Sequence, residues 1–325
     1  MKLTSDEEAI QEEALKFARK QKKEIAKRLT DTSRFTPEDE PVSVFMAGSP
    51  GAGKTEASIE LLAILEEKGA EILRIDPDAL RHEFELYTGD NSWLFQKGVS
   101  VLVDRIHDLA LSQKQSFLLD GTLSNYAKAE QNIARSLKRG RLVQILYVYQ
   151  EPMLAWKFVL DREVVEGRRI NPLDFVTQYF AARDVVNRLK TKFGSNVRVD
   201  LLLKNTDNSH RLYKAGVDQI DNHIPEKYKP ADLEKMLVVH AENKVMFSRS
   251  TIDFGKAQPA GNGPVLSKGC NAVQNRLCCG PSGVTVRARL RVAFLAKGRA
   301  INCETRLDSP PHSHSERYLI FRMDH

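Results

Sequence analysis

Apolar positions along the chain change rhythm twice, and each change marks a boundary. Residues 5–29, "SDEEAIQEEALKFARKQKKEIAKRL", contain neither Gly nor Pro, and Ile10, Leu15, Ala18, Ile25 and Leu29 recur at loosely helical spacing. Acids crowd the start and bases the end, which suits the helix dipole, so the stretch predicts an amphipathic helix packed on the main domain. The following "DTSRFTPEDEP" reads as a turn-rich connector.

From Val42 the rhythm changes to short apolar runs alternating with longer amphipathic segments. Strands are expected at 42–47, 71–75, 116–119, 142–149 and 197–203. Helices are expected near 54–68, 78–87, 94–113, 125–138, 151–166 and 173–191. Alternation of this kind predicts an α/β domain with a doubly wound, mostly parallel five-stranded sheet and helices on both faces. A last helix is expected at "KPADLEKML", with Asp232 in its first turn after Pro230. Beyond about Phe254 no rhythm persists, which predicts a largely disordered tail with "VTVRARLRVAFLA" as a lone strand. The division expected is therefore 1–39 helix and connector, 40–240 main domain, and 241–325 tail.

Charge and cysteine use sharpen that boundary. The net charge of +6 belongs to the tail beyond Lys256, and the body before it is close to neutral. The basic balance therefore gives no reason to expect nucleic-acid binding by the body. Cys270, Cys278, Cys279 and Cys303 all lie in the tail. They form no C-x-x-C pair, and with His312 and His314 they make a poor metal site. The tail reads as an addition to the domain, such as a frameshifted or read-through end. A body without disulfides, no apolar run near the roughly 18 residues of a membrane span, and no leader pattern at "MKLTSDEEAI" predict a cytoplasmic protein.

The chemistry starts at Gly48-Ser49-Pro50-Gly51-Ala52-Gly53-Lys54-Thr55, which fits G-x-x-x-x-G-K-[ST] between an expected strand and an expected helix. Such a loop curls backbone N–H groups around phosphate oxygens at a helix N-terminus, with Lys54 on the β and γ phosphates and the Thr55 hydroxyl on Mg²⁺. No Asn-Lys-x-Asp guanine reader is present. "KNTD" at 204–207 has the residues in another order and reads as a turn at a strand end. In "FLLDGT" Asp120 can hold magnesium, but no adjacent Glu follows to polarise a hydrolytic water. "RHEFE" lacks the second His of a zinc helix.

Transfer to an acceptor is the remaining possibility. "RIDPDALR" sets Asp76 and Asp78 just past a strand, at the edge where open α/β sheets bind ligands. Asp76 before Pro77 is a helix cap, which leaves Asp78 to accept a hydroxyl proton. Arg162, Arg168 and Arg169 surround "DREVVEGRRINP", a break between helices from which guanidinium groups can meet charge on a transferring phosphoryl.

The ordered set "GSPGAGKT", "IDPD", "LLDGT", "LDRE" and "RRINP" resembles the zeta-toxin family across about residues 40 to 205. That resemblance implies a P-loop kinase that uses ATP and Mg²⁺ to phosphorylate the 3′-hydroxyl of UDP-N-acetylglucosamine. A small nucleotide-sugar substrate follows from it, and so does a neutralising antitoxin. It makes Lys54 the ATP-phosphate lysine, Asp78 the catalytic base, and Arg162 and Arg169 the phosphate-contacting arginines. Asp104, Thr122 and Asn132 would orient the acceptor, and Thr55 with Asp120 would hold the metal. Asp104 stands where the family has Glu and Asn132 where it has Thr, and both changes bear on the acceptor. Other acceptors in view are an antibiotic, a nucleoside or a dinucleotide. An interaction protein that binds nucleotide without catalysis is the reading from another class.

Overall fold

The computed structural model describes residues 3–66, 71–167, 170–204, 210–225, 227–238 and 319–322. Helix α1 spans Ser5–Leu29, as the pattern predicts. A capping box starts it: Glu7 N–H donates to Thr4 Oγ1 at 3.3 Å, and Thr4 N–H donates to Glu7 Oε2 at 2.8 Å. Its buried face, Ala14, Ala18, Ile25 and Ala26, is mostly alanine. Small side chains allow close approach to α3 (Gln96–Ser112), where a Cβ on Gly98 would stand 3.2 Å from the Ala14 carbonyl oxygen. The first helix therefore shares the core of the sheet domain.

The remaining elements are β1 (Val42–Ala47), α2 (Lys54–Glu66), β2 (Leu73–Ile75), β3 (Phe117–Leu119), α4 (Tyr126–Leu137), β4 (Leu142–Tyr149), α5 (Pro152–Glu166), α6 (Pro172–Phe193), β5 (Val197–Lys204), β6 (His210–Lys214), α7 (230–238) and β7 (Leu319–Arg322). The sheet order is β2-β3-β1-β4-β5-β6-β7. The first five strands in that order are parallel; β6 and β7 join antiparallel. Strand β1 alternates its side chains between two cores. Phe45 and Ala47 face a large cluster shared with α1, α3 and α6, and Val44 and Met46 face a smaller one under α2.

Two expectations change. The segment expected as a helix over 78–87 is a 3₁₀ turn at Ala79–Glu83, with a second at Ser92–Phe95 leading into α3. Most of its bonds are i to i+3, Arg81 N–H to Asp78 O, Phe84 N–H to Arg81 O and Tyr87 N–H to Phe84 O, after one i to i+4 bond from Leu80 N–H to Asp76 O. The tighter winding lets Phe84 reach an aromatic cluster with Phe17 and Phe95. The sheet also gains β6 and β7 beyond the five expected strands. Strand β7 lies in the stretch expected to be unstructured, whereas the strand expected at 284–296 lies outside the described residues.

Candidate active site

Four of the five parallel strands bring a polar or loop residue to one edge. The chain leaves β1 at Gly48, β2 at Asp76 and β3 at Asp120, while Lys204 ends β5. Since β1 sits between β3 and β4, the Gly48–Thr55 loop opens at the point where the strand order reverses. Two of its glycines are demanded by contact. A Cβ would stand 2.3 Å from the Val148 carbonyl oxygen at Gly48 (φ +137°) and 2.1 Å from that of Ala155 at Gly51 (φ +71°). Backbone therefore lies where a side chain would, and the loop is pressed onto β4 and α5. Gly48 N–H also donates to the Thr122 carbonyl at 3.2 Å, tying the loop to the segment after β3.

Lys54 opens α2, and its Nζ donates to the Ser49 carbonyl at 2.7 Å, inside the loop's own curve. Burial pushes its pKa down to about 8; Asp120, Asp78 and Glu56 pull it up, and Arg162 pushes it further down. Arg168 and Arg169 lie outside the described residues.

Asp120 is buried, and its Oδ2 accepts from Arg74 Nη2 at 2.6 Å and from Ser58 Oγ at 3.1 Å. Ser58 Oγ lies nearer the Thr55 backbone carbonyl, at 2.8 Å, so its single proton is shared between that carbonyl and Asp120. Arg74 reaches Asp76 as well, at 2.9 Å. Asp76 does not take the expected cap position, because the segment forms a 3₁₀ turn whose N-cap is Asp78; its Oδ1 instead accepts the Asp78 N–H at 2.8 Å in a two-residue turn. Burial raises its pKa, against the pull of Arg74. Asp78 is half-buried, with its carboxylate bonded to Nη1 of the buried Arg81, whose Nη2 donates to Gln96 Oε1 at 3.2 Å.

The residues expected to orient an acceptor are less uniform. Asp104 accepts from Lys128 Nζ at 2.6 Å across α3 and α4. Thr122 pairs its hydroxyl with Ser124 at 2.9 Å, beside Leu123 in the left-handed region (φ +52°), a strained position for a leucine. Asn132 is only 4% exposed, and its Oδ1 accepts from Arg135 Nη2 at 2.7 Å. Arg135 also meets Asp108 and, at 2.8 Å, His107 Nδ1. Burial and Arg135 push the His107 pKa down to about 3, so that imidazole is neutral and part of the packing. Asn132 thus braces a buried cluster between α3 and α4.

Four residues were missed: Arg74, Ser58, Arg81 and Lys204. Arg74 carried a weak signal as the polar position between Leu73 and Ile75, and Arg81 one as a base three residues after Asp78; Ser58 meets Asp120 from 62 residues away, which no local pattern shows.

The model of the family described as "Zeta toxin" matches residues 26–218, more than half of the chain. The chain belongs to the zeta-toxin family. Membership supports an ATP-dependent phosphotransferase with a P-loop kinase fold. Among solved structures, the chain is similar to one from the PezAT chromosomal toxin–antitoxin system of Streptococcus pneumoniae. The two share 19% identity over 75% of this chain and 96% of that one, with a TM-score of 0.48. It is also similar to an AvrRxo1-ORF1:-ORF2 complex with ATP, at 17% identity over 68% of this chain and 74% of that one, with a TM-score of 0.46. The family match, not these distant likenesses, carries the assignment. A comparison with curated proteins finds no match.

Proposed function

We propose that this zeta-toxin-family protein transfers the γ-phosphate of ATP to a sugar hydroxyl, with the 3′-hydroxyl of UDP-N-acetylglucosamine as the leading acceptor. The transfer reading is supported by the Asp78 carboxylate, half-buried just past β2 at the strand edge where the loop opens and held by Arg81. A loop that only held nucleotide would not need a carboxylate on the acceptor side. In the proposed step the acceptor oxygen attacks the γ-phosphorus in line and its proton passes to the Asp78 carboxylate. The bond between phosphorus and the β–γ bridging oxygen breaks, and ADP leaves. Lys54 and Arg162, joined by Arg169, stabilise the negative charge spread over the transferring group.

Arg81 has a place in this scheme, since its guanidinium holds the Asp78 carboxylate in one orientation. A divalent cation would be held by the Thr55 hydroxyl and the Asp120 carboxylate, oxygen donors as Mg²⁺ requires, with Asp120 then shared with Arg74. Bound there, Mg²⁺ would neutralise phosphate charge. Among the described residues no three His, Cys, Asp or Glu side chains gather at one point. Such an ion would thus take most of its ligands from phosphate and water.

Acceptor choice rests on resemblance. Asp104 is already paired with Lys128 and Asn132 is committed to Arg135, so their part in orienting a sugar requires those partners to be shared. A different small-molecule hydroxyl, on an antibiotic, nucleoside or dinucleotide, is favoured by that same observation. An antitoxin partner is proposed on family grounds. No helix among the described residues is long and apolar enough to cross a membrane, and cytoplasmic action is proposed with it. Asp78→Asn tests the scheme: transfer is abolished while ATP still binds, and retained transfer would remove Asp78 from the role of base.

A further inference from the structure

Helix α5 is held at both ends, once by the nucleotide loop and once by the segment that follows Asp78. Near its start, the Ala155 carbonyl oxygen and Val159 Cγ2 lie 2.1 Å and 3.1 Å from the point a Gly51 Cβ would occupy, so α5 is seated on the loop there. Arg162 follows Val159 by one helical turn and Ala155 by two, which puts all three on one face of α5. At the far end Gly167 caps α5 in the left-handed region at φ +71°, its N–H donating to the Glu163 carbonyl at 2.9 Å. A Cβ on Gly167 would stand 3.1 Å from the Asp90 nitrogen and 3.3 Å from the Asp90 Cβ. The cap is therefore pressed against Asp90.

Asp90 belongs to a turn built by its own polar groups. The Thr88 hydroxyl donates to the Asp90 carboxylate, Thr88 N–H to Asn91 Oδ1 at 3.0 Å, and Asn91 Nδ2 to the Leu86 carbonyl at 2.8 Å. The turn lies between the 3₁₀ stretch capped by Asp78 and the one leading into α3, and it is pinned to both. Phe84 and Tyr87 before it pack on Phe95 after it, with ring centroids 5.3 Å and 5.6 Å apart. From Ala155 to Gly167 the helix covers about 18 Å at 1.5 Å per residue, and Arg162 lies between its two supports. We infer that Gly167 and Asp90 are positioning residues for phosphoryl transfer: their contact fixes the last turns of α5, and with them Arg162, against the segment that carries Asp78. A side chain on Gly167 would shift those turns and leave the seat on the nucleotide loop in place. The inference rests on the kinase reading and adds to it what sets the arginine against the base.

The test is single-turnover transfer from Mg-ATP by the full-length protein, with UDP-N-acetylglucosamine, nucleosides and dinucleotides offered as acceptors. Asparagine tolerates the left-handed region, so Gly167→Asn adds the side chain without forcing the backbone to change. It is expected to slow transfer by about tenfold or more, because small misplacements at a reacting centre are costly, and to leave ATP affinity by calorimetry unchanged. Gly140→Asn, at φ +66° with nothing within 4 Å of its Cβ, should transfer at the unaltered rate. Arg162→Met separates positioning from general damage: on the residual rate of that background Gly167→Asn should cost nothing further, because the contact acts through Arg162. Should Gly167→Asn fail to fold, Gly167→Ala is read in the same way. Unaltered transfer by the folded variant, ATP binding weakened in step with the rate, or a loss that persists in full on top of Arg162→Met would overturn the inference and leave the kinase reading standing. An unaltered protein that phosphorylates none of the acceptors would overturn both.

Discussion

Lys54 gives the account a consequence that can be read without knowing the acceptor. Burial holds the pKa of its ammonium at about 8, with Asp120 and Asp78 partly restoring the charge. Bound phosphates favour the cation, so a protein that has lost the proton must regain it to bind ATP. With a pKa of about 8, roughly nine-tenths of the free protein is protonated at pH 7 and about one-tenth at pH 9. ATP affinity should thus fall by about tenfold across that interval. Calorimetry at pH 7, 8 and 9, in buffers of different ionisation heat, reads the same linkage directly. Proton uptake per ATP bound should climb from about 0.1 towards about 0.9 as pH rises. The γ-phosphate of ATP is already deprotonated in the upper half of this range and does not mask the effect. Lys54→Arg, charged throughout, should bind with a flat pH profile. An affinity that is level between pH 7 and 9 in the unaltered protein, with no proton uptake, would refute the reasoning that a desolvated Lys54 meets the phosphates.

Two further outcomes follow from packing. Gly51 and Gly140 have nearly the same left-handed conformation, φ +71° and φ +66°, but a Cβ at Gly51 would meet the Ala155 carbonyl oxygen at 2.1 Å and one at Gly140 would meet nothing within 4 Å. Gly140→Ala should therefore cost about 1 kcal/mol in denaturant unfolding. Gly51→Ala should cost more and abolish ATP binding; equal effects would show that backbone conformation alone requires the loop glycine. Ala18 is fully buried, so Ala18→Leu should destabilise by about 1–3 kcal/mol, read as a lower melting temperature. No change would mean that α1 does not pack closely on the sheet domain.

Much of this protein was legible because its signals are local. The glycines of the 48–55 loop, the apolar runs of the five parallel strands and the acid-to-base gradient of α1 each follow from neighbouring residues. Partnership across the sheet was not legible. Arg74 meets Asp120 from the adjacent strand, and Lys204 meets Gly53 from a strand two places away from β1. Nothing in a single sequence announces such pairs, because strand order is set by how crossovers pack. The segment after Asp78 was misread for a related reason. Its apolar spacing suits an α-helix, but the segment winds into 3₁₀ turns that bring Phe84 against Phe17 and Phe95, contacts distant in sequence. Asn132 shows the same limit, since its burial against Arg135 depends on two helices meeting.

Phosphorus NMR of the protein incubated with Mg-ATP and a panel of UDP-sugars, nucleosides and dinucleotides tests the central claim most directly. A new phosphomonoester signal should appear with one acceptor, first of all UDP-N-acetylglucosamine, together with stoichiometric ADP, and should vanish in Asp78→Asn. ADP and inorganic phosphate as the sole products with every acceptor, or no turnover of ATP at all, would contradict it.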